Sequence, residues 1–355
     1  MCVATKPAAL PSASGIMLES KVAFLRQASS FPDPAYRVEA IETHMSWIFL
    51  TEAYAYKLKK PVCHELLDFS TIEARHHYCK EEVRLNRRLA AQVYIGIVAL
   101  SIDASGHLHL GEDGTIIDWL VKMHRLPAQH MLDYAIRNRT ASAHDIRRVA
   151  TQLATFYCNS LPVAIEAEAY RATFLTDINR NREALSRPAY QLATEQVSKL
   201  CDDQCCFLLT HSDKFDERVK NKKIFEGHGD LRPEHICLEP TIAVIDCLEF
   251  SRALRITDAV DELGFLALEC ERLGMPDLGH VLLDVYSKLS GDTYHPLLLH
   301  FYQSFRATLR ARIAIKHLDE AKFRYSSEWR SRATHYLKLA QQHQDAINSV
   351  IESPA

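Results

Sequence analysis

"GHGDLRPEHICL" (227–238) and, shortly after it, "AVIDCLEF" (243–250) are the most informative stretches of this sequence. Asp230 stands behind a His–Gly pair and ahead of a short apolar run. Asp246 ends a second apolar run, with Pro240 in the turn between them. The pattern predicts two short strands, 235–239 and 242–246, with one acid before the first and another closing the second. Two acids placed this way either cap turns or serve phosphoryl transfer, a reaction that needs positioning and charge neutralisation more than covalent help.

Upstream, the first third reads as strand-rich. Strands are predicted at 47–51, 53–60, 93–102, 107–110 and 115–123. A helix is predicted over 70–92, with Ser70 as N-cap and Glu73 completing a capping box. From about 125 the pattern becomes helical: 143–160, around 163–183, 188–215, 257–274, 276–290, 295–317 and 319–350. The expected class is α+β: a small mixed lobe with an antiparallel sheet (19–124) after a flexible lead-in (1–18), then a larger, mainly helical lobe (125–355).

The bulk properties narrow the function classes. The chain has 355 residues, 47% of them hydrophobic and 25% charged, with a formal net charge of -3. Such a balance offers no global basic field for nucleic acid or an acidic membrane. No run approaches the roughly 18–20 apolar residues of a membrane span. The opening residues lack the charged end and apolar core of a secretory signal, so a cytoplasmic location is expected. Of ten cysteines, only "CDDQCC" (201–206) is clustered, and it does not match paired CxxC zinc knuckles. Cysteine otherwise falls in apolar or helical surroundings, as structural thiols do in a reducing compartment.

"HGD", five further positions and a strand pair ending in "ID" resemble the catalytic and metal loops of the aminoglycoside phosphotransferase family. These are protein-kinase-like enzymes that move a phosphoryl group from a nucleotide to a small molecule. The motif "HGDLRPEH" is most similar to an uncharacterised branch sometimes fused to a P-loop ATPase domain, although no GxxxxGK[ST] occurs here. The resemblance extends over roughly 20–345 and is strongest at 227–271. It implies a two-lobed protein-kinase-like fold, ATP, Mg²⁺ or Mn²⁺, and a small-molecule acceptor hydroxyl. Asp230 would then accept the hydroxyl proton, and Asp246 would hold the metal against the nucleotide phosphates. His235 stands where the family has a metal-ligating asparagine. It either ligates a softer ion, hydrogen-bonds Asp230, or marks a weakened enzyme. Glu249 either supplies an additional oxygen ligand or is a surface acid. Arg232 either orients a phosphate or substrate acid or ties the loop to Asp258 or Asp261. His228 is expected to pack the loop. Thr257 or Asp258 is expected to cap the following helix, with Asp258 and Asp261 as scaffold.

In the small lobe, "YAYK" (54–57) resembles the strand that carries a small residue over the base and a phosphate-binding lysine two positions on. Ala55 and Lys57 are nominated, and Lys59, on the same strand face, is a rival. "AYKLKK" also reads as a solvated strand edge protected by lysines. The partner carboxylate is expected at Glu82, or else at Glu81. Backbone groups at Lys122 and Met123 are placed like the adenine-binding hinge. The turn at Glu52 has no glycine, and an acid there would repel phosphates. The leading expectation is an ATP-dependent small-molecule phosphotransferase. A kinase-like pseudoenzyme and a nucleotidyl transferase are the alternatives. Neither the acceptor nor the oligomeric state is readable from these residues.

Overall fold

The computed structural model describes residues 16–64 and 67–352. Most of the expected lead-in, 1–15, lies outside them. Contacts divide the chain into two units: residues up to His130 together with Glu239–Arg252, and Met131–Leu238 together with Ala253 onward.

The first unit begins with helix α1 (Leu18–Leu25), which the sequence pattern did not announce, and strand β1 (Glu39–Glu42). Strands β2 (Ser46–Leu50) and β3 (Tyr54–Lys59) follow as expected, joined by a turn in which Thr51 and Tyr54 bond each other's backbones. A short hairpin, β4 (Cys63–His64) and β5 (Leu67–Asp68), leads to helix α2 (Ile72–Ala90). Thr71 caps α2 by accepting from the Ala74 N–H at 3.1 Å. Ser70 lies one residue before this cap, and its N–H, which Glu73 would accept in the expected box, goes to Asp68 Oδ1 at 2.8 Å, so the Ser70–Glu73 box does not form. Strands β6 (Tyr94–Ile102), β7 (Leu108–Leu110) and β8 (Thr115–His124) complete an antiparallel sheet of order β1-β2-β3-β8-β6-β7. Register shifts in β6, between Tyr94 and Gly96 and between Leu100 and Ser101, favour the curl of this sheet. Phe49, Tyr56, Leu58, Leu100, Ile117 and Leu120 form its core, with Val22, Leu25 and Phe31 of the preceding segment packed against them. Each such side chain contributes about 1.5–3 kcal/mol on burial.

The second unit is helical, with α3 (Leu132–Arg137), α4 (Ala143–Asn159), α5 (Ala167–Leu185), α6 (Thr194–Thr210) and α7 (Ser212–Lys220). Ser142 and Asp145 make a full capping box on α4. The single helix expected over 188–215 is instead a one-turn 3-10 element, α6 and the start of α7. Gln191 in the left-handed region and the non-helical backbone at His211 interrupt it. Strand β9 (Ile224–Glu226) was also unannounced, and β10 (Ile236–Cys237) is shorter than expected. The segment 239–252, with β11 (Ala243–Val244), returns to the first unit. The chain re-enters the second at β12 (Ile256–Asp258), antiparallel to β9, and continues through α8 (Ala259–Arg272), α9 (Pro276–Ser290), α10 (Pro296–Lys316) and α11 (Ser327–Glu352). The last helix starts later than the expected 319, because 317–326 is spent in turns.

Phe174, Phe207, Phe215, Phe301 and Phe305 make an aromatic core, with Phe174 and Phe305 centroids 5.0 Å apart. All nine described cysteines are free, and Cys63, Cys158 and Cys206 are exposed rather than packed. Among the described residues no helix is long and apolar enough to cross a membrane.

Candidate active site

Two polar clusters carry the residues singled out above, one in each unit. In the first unit, alternation along β3 puts Lys57 and Lys59 on one face, toward Glu82 of α2. The fully buried Glu82 carboxylate takes Lys57 at 2.9 Å with one oxygen and Lys59 at 2.5 Å with the other. Glu81 faces outward and pairs with Arg84. The two lysines then diverge. Lys59 is wholly buried, bonded also to Glu249 and lying over the Phe69 ring. Lys57 turns to Asp246, with Nζ 2.7 Å from Oδ1. Burial alone would lower both ammonium pKa values, but the facing carboxylates (Asp246 and Glu82 for Lys57, Glu249 and Glu82 for Lys59) hold both above the usual lysine range.

Asp246 follows β11 in the left-handed region, φ 61°, which aspartate tolerates better than most residues. Its N–H donates to Tyr94 Oη at 3.2 Å, and the next N–H, of Cys247, donates to Asn86 Oδ1 at 2.9 Å. These bonds fasten the turn to β6 and α2. The Asp246 side chain is 48% exposed, against 8% for Glu249. Asp246 is thus the more exposed of the two acids, and Glu249 is a buried counterion of Lys59. Two lysines meet three carboxylates here. Such a donor set suits a hard divalent cation. Among the described residues no three His, Cys, Asp or Glu side chains gather as a metal cluster. Mg²⁺ needs none, since it keeps several waters and takes one or two carboxylates plus phosphate oxygens.

Ala55 is buried in β3 opposite Met123. Lys122 and Met123 differ from their expected placement. They lie inside β8, which is paired on both edges, to β3 and β6, through this point. The Arg125 N–H is also taken, by Ala53 O at 2.9 Å. The Lys122 ammonium is committed to Asp33 at 2.5 Å and lies 4.2 Å from the Tyr54 ring centroid. Glu52, the acid expected to repel phosphates, instead accepts the backbone N–H groups of Tyr36 and Arg37 at 3.1–3.3 Å.

In the second unit, the loop between β9 and β10 is built on Glu262, a buried acid in the first turn of α8. Its carboxylate accepts from His228 N at 2.9 Å, from Gly229 N at 2.5 Å and from the Tyr157 hydroxyl. A Cβ at Gly227 would lie 2.5 Å from Glu262 Oε2. Because three donors fix that carboxylate, Gly227→Ala should destabilise the protein by about 1–3 kcal/mol. Thermal unfolding checks this, and an unchanged Tm would show that the loop yields freely.

Asp230 sits in this loop, with its N–H directed at His228 Nδ1 (3.3 Å) and Oδ2 bonded to Arg232 Nε at 2.9 Å. Burial would raise its pKa, but the Arg232 and Arg310 guanidinium groups outweigh that and hold the carboxyl at about 2. Arg232 also bonds Glu234 at 2.5 Å. It does not reach for Asp258 or Asp261, which are held by Arg218 and Arg306. Asp258 caps α8 through Val260 N. His235 is 7% exposed and uses both ring nitrogens inside the loop. Nδ1 lies 2.9 Å from the Asp230 carbonyl, and Nε2 lies 3.1 Å from Arg232 Nη2. Since a carbonyl only accepts and a guanidinium only donates, this pattern calls for the tautomer protonated on Nδ1. With Nε2 taken by Arg232, the ring braces the loop and turns no nitrogen toward a metal.

No family model matches the chain. An uncharacterized protein of Mycobacterium tuberculosis (strain H37Rv) is 30% identical over 314 residues, covering 86% of this chain. A Mycobacterium bovis protein matches with the same figures. The chain spans 59% of the length of these curated relatives. Three solved structures resemble it over nearly their whole length. A choline/ethanolamine kinase family protein from Mesorhizobium loti has TM-score 0.54 at 13% identity, covering 93% of this chain and 99% of its own. Choline kinase from Cryptosporidium parvum has TM-score 0.56 at 11% identity, covering 92% and 97%. An aminoglycoside 2'-phosphotransferase in its GDP complex has TM-score 0.53 at 14% identity, covering 92% and 98%. At such identities the likeness is one of fold, and the chain has a protein-kinase-like fold of an antiparallel-sheet unit and a mainly helical unit.

Proposed function

We propose that this chain is an ATP-dependent phosphotransferase acting on the hydroxyl of a small molecule. The observation that carries the proposal is the Lys57–Glu82–Asp246 arrangement. It presents an ammonium group, braced from behind by a buried acid, next to a half-exposed carboxylate. The solved structures of similar fold, named as choline and aminoglycoside kinases, support a small-molecule acceptor.

In this reading Lys57 exchanges part of its bonding to Asp246 for phosphate oxygens, while Glu82 keeps it in place. Asp246 would hold Mg²⁺, which when bound shields phosphate charge. Asp230 accepts the hydrogen of the acceptor hydroxyl and aims its oxygen at phosphorus. The bond from the γ-phosphorus to the β-bridging oxygen breaks as the bond to the acceptor oxygen forms. Held at about 2, Asp230 is a weak base. It therefore takes the proton late, once bonding to phosphorus has made the acceptor oxygen acidic.

Calorimetric ATP binding with Mg²⁺, and separately with Mn²⁺, tests the nucleotide half. Metal-dependent binding is expected, weakened at least about tenfold, or 1.4 kcal/mol, by Asp246→Ala. Mn²⁺ should show no marked advantage, because His235 is committed within its own loop. Absence of ATP binding with either ion would overturn the proposal. Binding without transfer of the γ-phosphate to any acceptor would favour a pseudoenzyme.

A further inference from the structure

We propose that Arg310, on α10, receives an anionic group of the acceptor, so that the substrate is a hydroxy compound carrying a carboxylate or a phosphate. This rests on the phosphotransferase reading and names the acceptor class for it. Several arginines of the second unit are spent on protein acids. Arg218 holds Asp258 and Asp292, and Arg306 holds Asp261. Arg272 holds Glu269 at 2.7 Å, and Arg232 is divided between Asp230 and Glu234.

Arg310 is different. Its nearest approach to Asp230 is 3.7 Å, from Nη1 to Oδ1, beyond hydrogen-bond reach. Its Nε is buried and has no hydrogen-bond partner. Glu269, which faces the same region, is already bonded to Arg272 and to the Tyr336 hydroxyl. The guanidinium lies 5.9 Å from the Tyr336 ring centroid. Arg310 also shares a side-chain hydrogen bond with Tyr336, but its buried Nε–H stays unused. An unused donor on a desolvated cation is costly, and an anion that takes it relieves that cost. Its position beside the acid assigned to the acceptor hydroxyl puts the anion on the acceptor itself. An ammonium-bearing acceptor would leave the Arg310 Nε–H without an acceptor. A neutral one would leave Arg310 as it is.

The test is calorimetric titration of the full chain with inorganic phosphate and, separately, with acetate. It is done in a Lys57→Met background so that the nucleotide site does not contribute. Arg310→Gln should weaken the binding of the preferred anion at least tenfold. Arg310→Lys, which keeps the charge but not the fork, should weaken it less. Phosphate preferred over acetate would indicate a phosphorylated acceptor, and the reverse a hydroxy acid.

In a turnover panel, anionic hydroxy compounds should outperform neutral and cationic ones, and Arg310→Gln should raise KM more than it lowers kcat. Anion affinity unchanged in Arg310→Gln, or preference for a cationic acceptor, would overturn the inference. If Arg310→Gln does not fold, Arg310→Lys alone decides, with at least a threefold loss expected. Loss of the phosphotransferase reading is separately visible. MgATP would then fail to bind the wild-type chain, whether or not phosphate binds at Arg310.

Discussion

Asp230→Asn is expected to lower kcat for γ-phosphate transfer by about 10²–10⁴-fold, the usual contribution of a positioned proton acceptor. The substitution keeps the shape of the side chain and removes its capacity to take a proton. The loop should survive it, because its frame is Glu262 bonded to His228 N and Gly229 N rather than the Asp230 carboxylate. γ-Labelled ATP and the best acceptor of a panel of anionic, neutral and cationic hydroxy compounds give the measurement. Transfer within threefold of wild type would remove Asp230 from the mechanism. Its pKa adds a second readout. Because Arg232 and Arg310 hold the carboxyl at about 2, no limb from Asp230 should appear in kcat/KM above about pH 4. Arg232→Gln removes one cation, raises the Asp230 pKa, and should move that limb upward in pH.

Arg218→Met is expected to destabilise the second unit by about 3–5 kcal/mol, the cost of leaving the buried Asp258 without its cation and Asp292 without its nearest one. Arg218 is 3% exposed and bonds two buried carboxylates at once, Asp258 at 2.6 and 2.8 Å and Asp292 at 2.7 Å. Tyr302 and Val260 N still serve Asp258 without charge, while Asp292 keeps the Tyr286 hydroxyl and, at 3.5 Å, the Lys223 ammonium. At a few degrees per kcal/mol, Tm should fall by about 10 °C. Calorimetry checks this, and a fall of under 2 °C would mean that the remaining partners of the two acids make up for the lost guanidinium.

The sign of the pH effect follows from the same contacts. Burial would raise the Asp292 pKa, but hydrogen bonds and charge from Arg218 bring it below the usual carboxylate value. Its contribution to stability is therefore present above about pH 4 and is lost as pH falls through the depressed value. Without Arg218 the midpoint of acid unfolding should move to higher pH.

Local pattern made much of this molecule legible. The alternating runs at 46–50, 54–59, 94–102 and 115–124 form strands close to where periodicity put them, and α2, α4, α9 and α10 also fall where expected. Short elements escaped. β1 and β9 have only four and three residues, too few for a periodic signal, and β9 exists because β12 pairs with it from thirty residues away. The cap of α2 falls one residue later than expected, on Thr71, and the Ser70 N–H turns back to Asp68.

By itself the sequence determined the class of fold, the two acids at 230 and 246, and the shared face of Lys57 and Lys59. These depend on chain-local facts: the period of apolar residues, the alternation along a strand, and the spacing within one short motif. Only the tertiary structure decided that Glu82 rather than Glu81 braces both lysines, that Lys57 turns to Asp246 while Lys59 is buried with Glu249, and that His235 spends both nitrogens within its loop. It alone brought Glu262 under the loop and Arg310 beside Asp230. The physical reason is that a charged side chain's role is set by which opposite charges are desolvated with it, and those partners come from distant elements packed against one another.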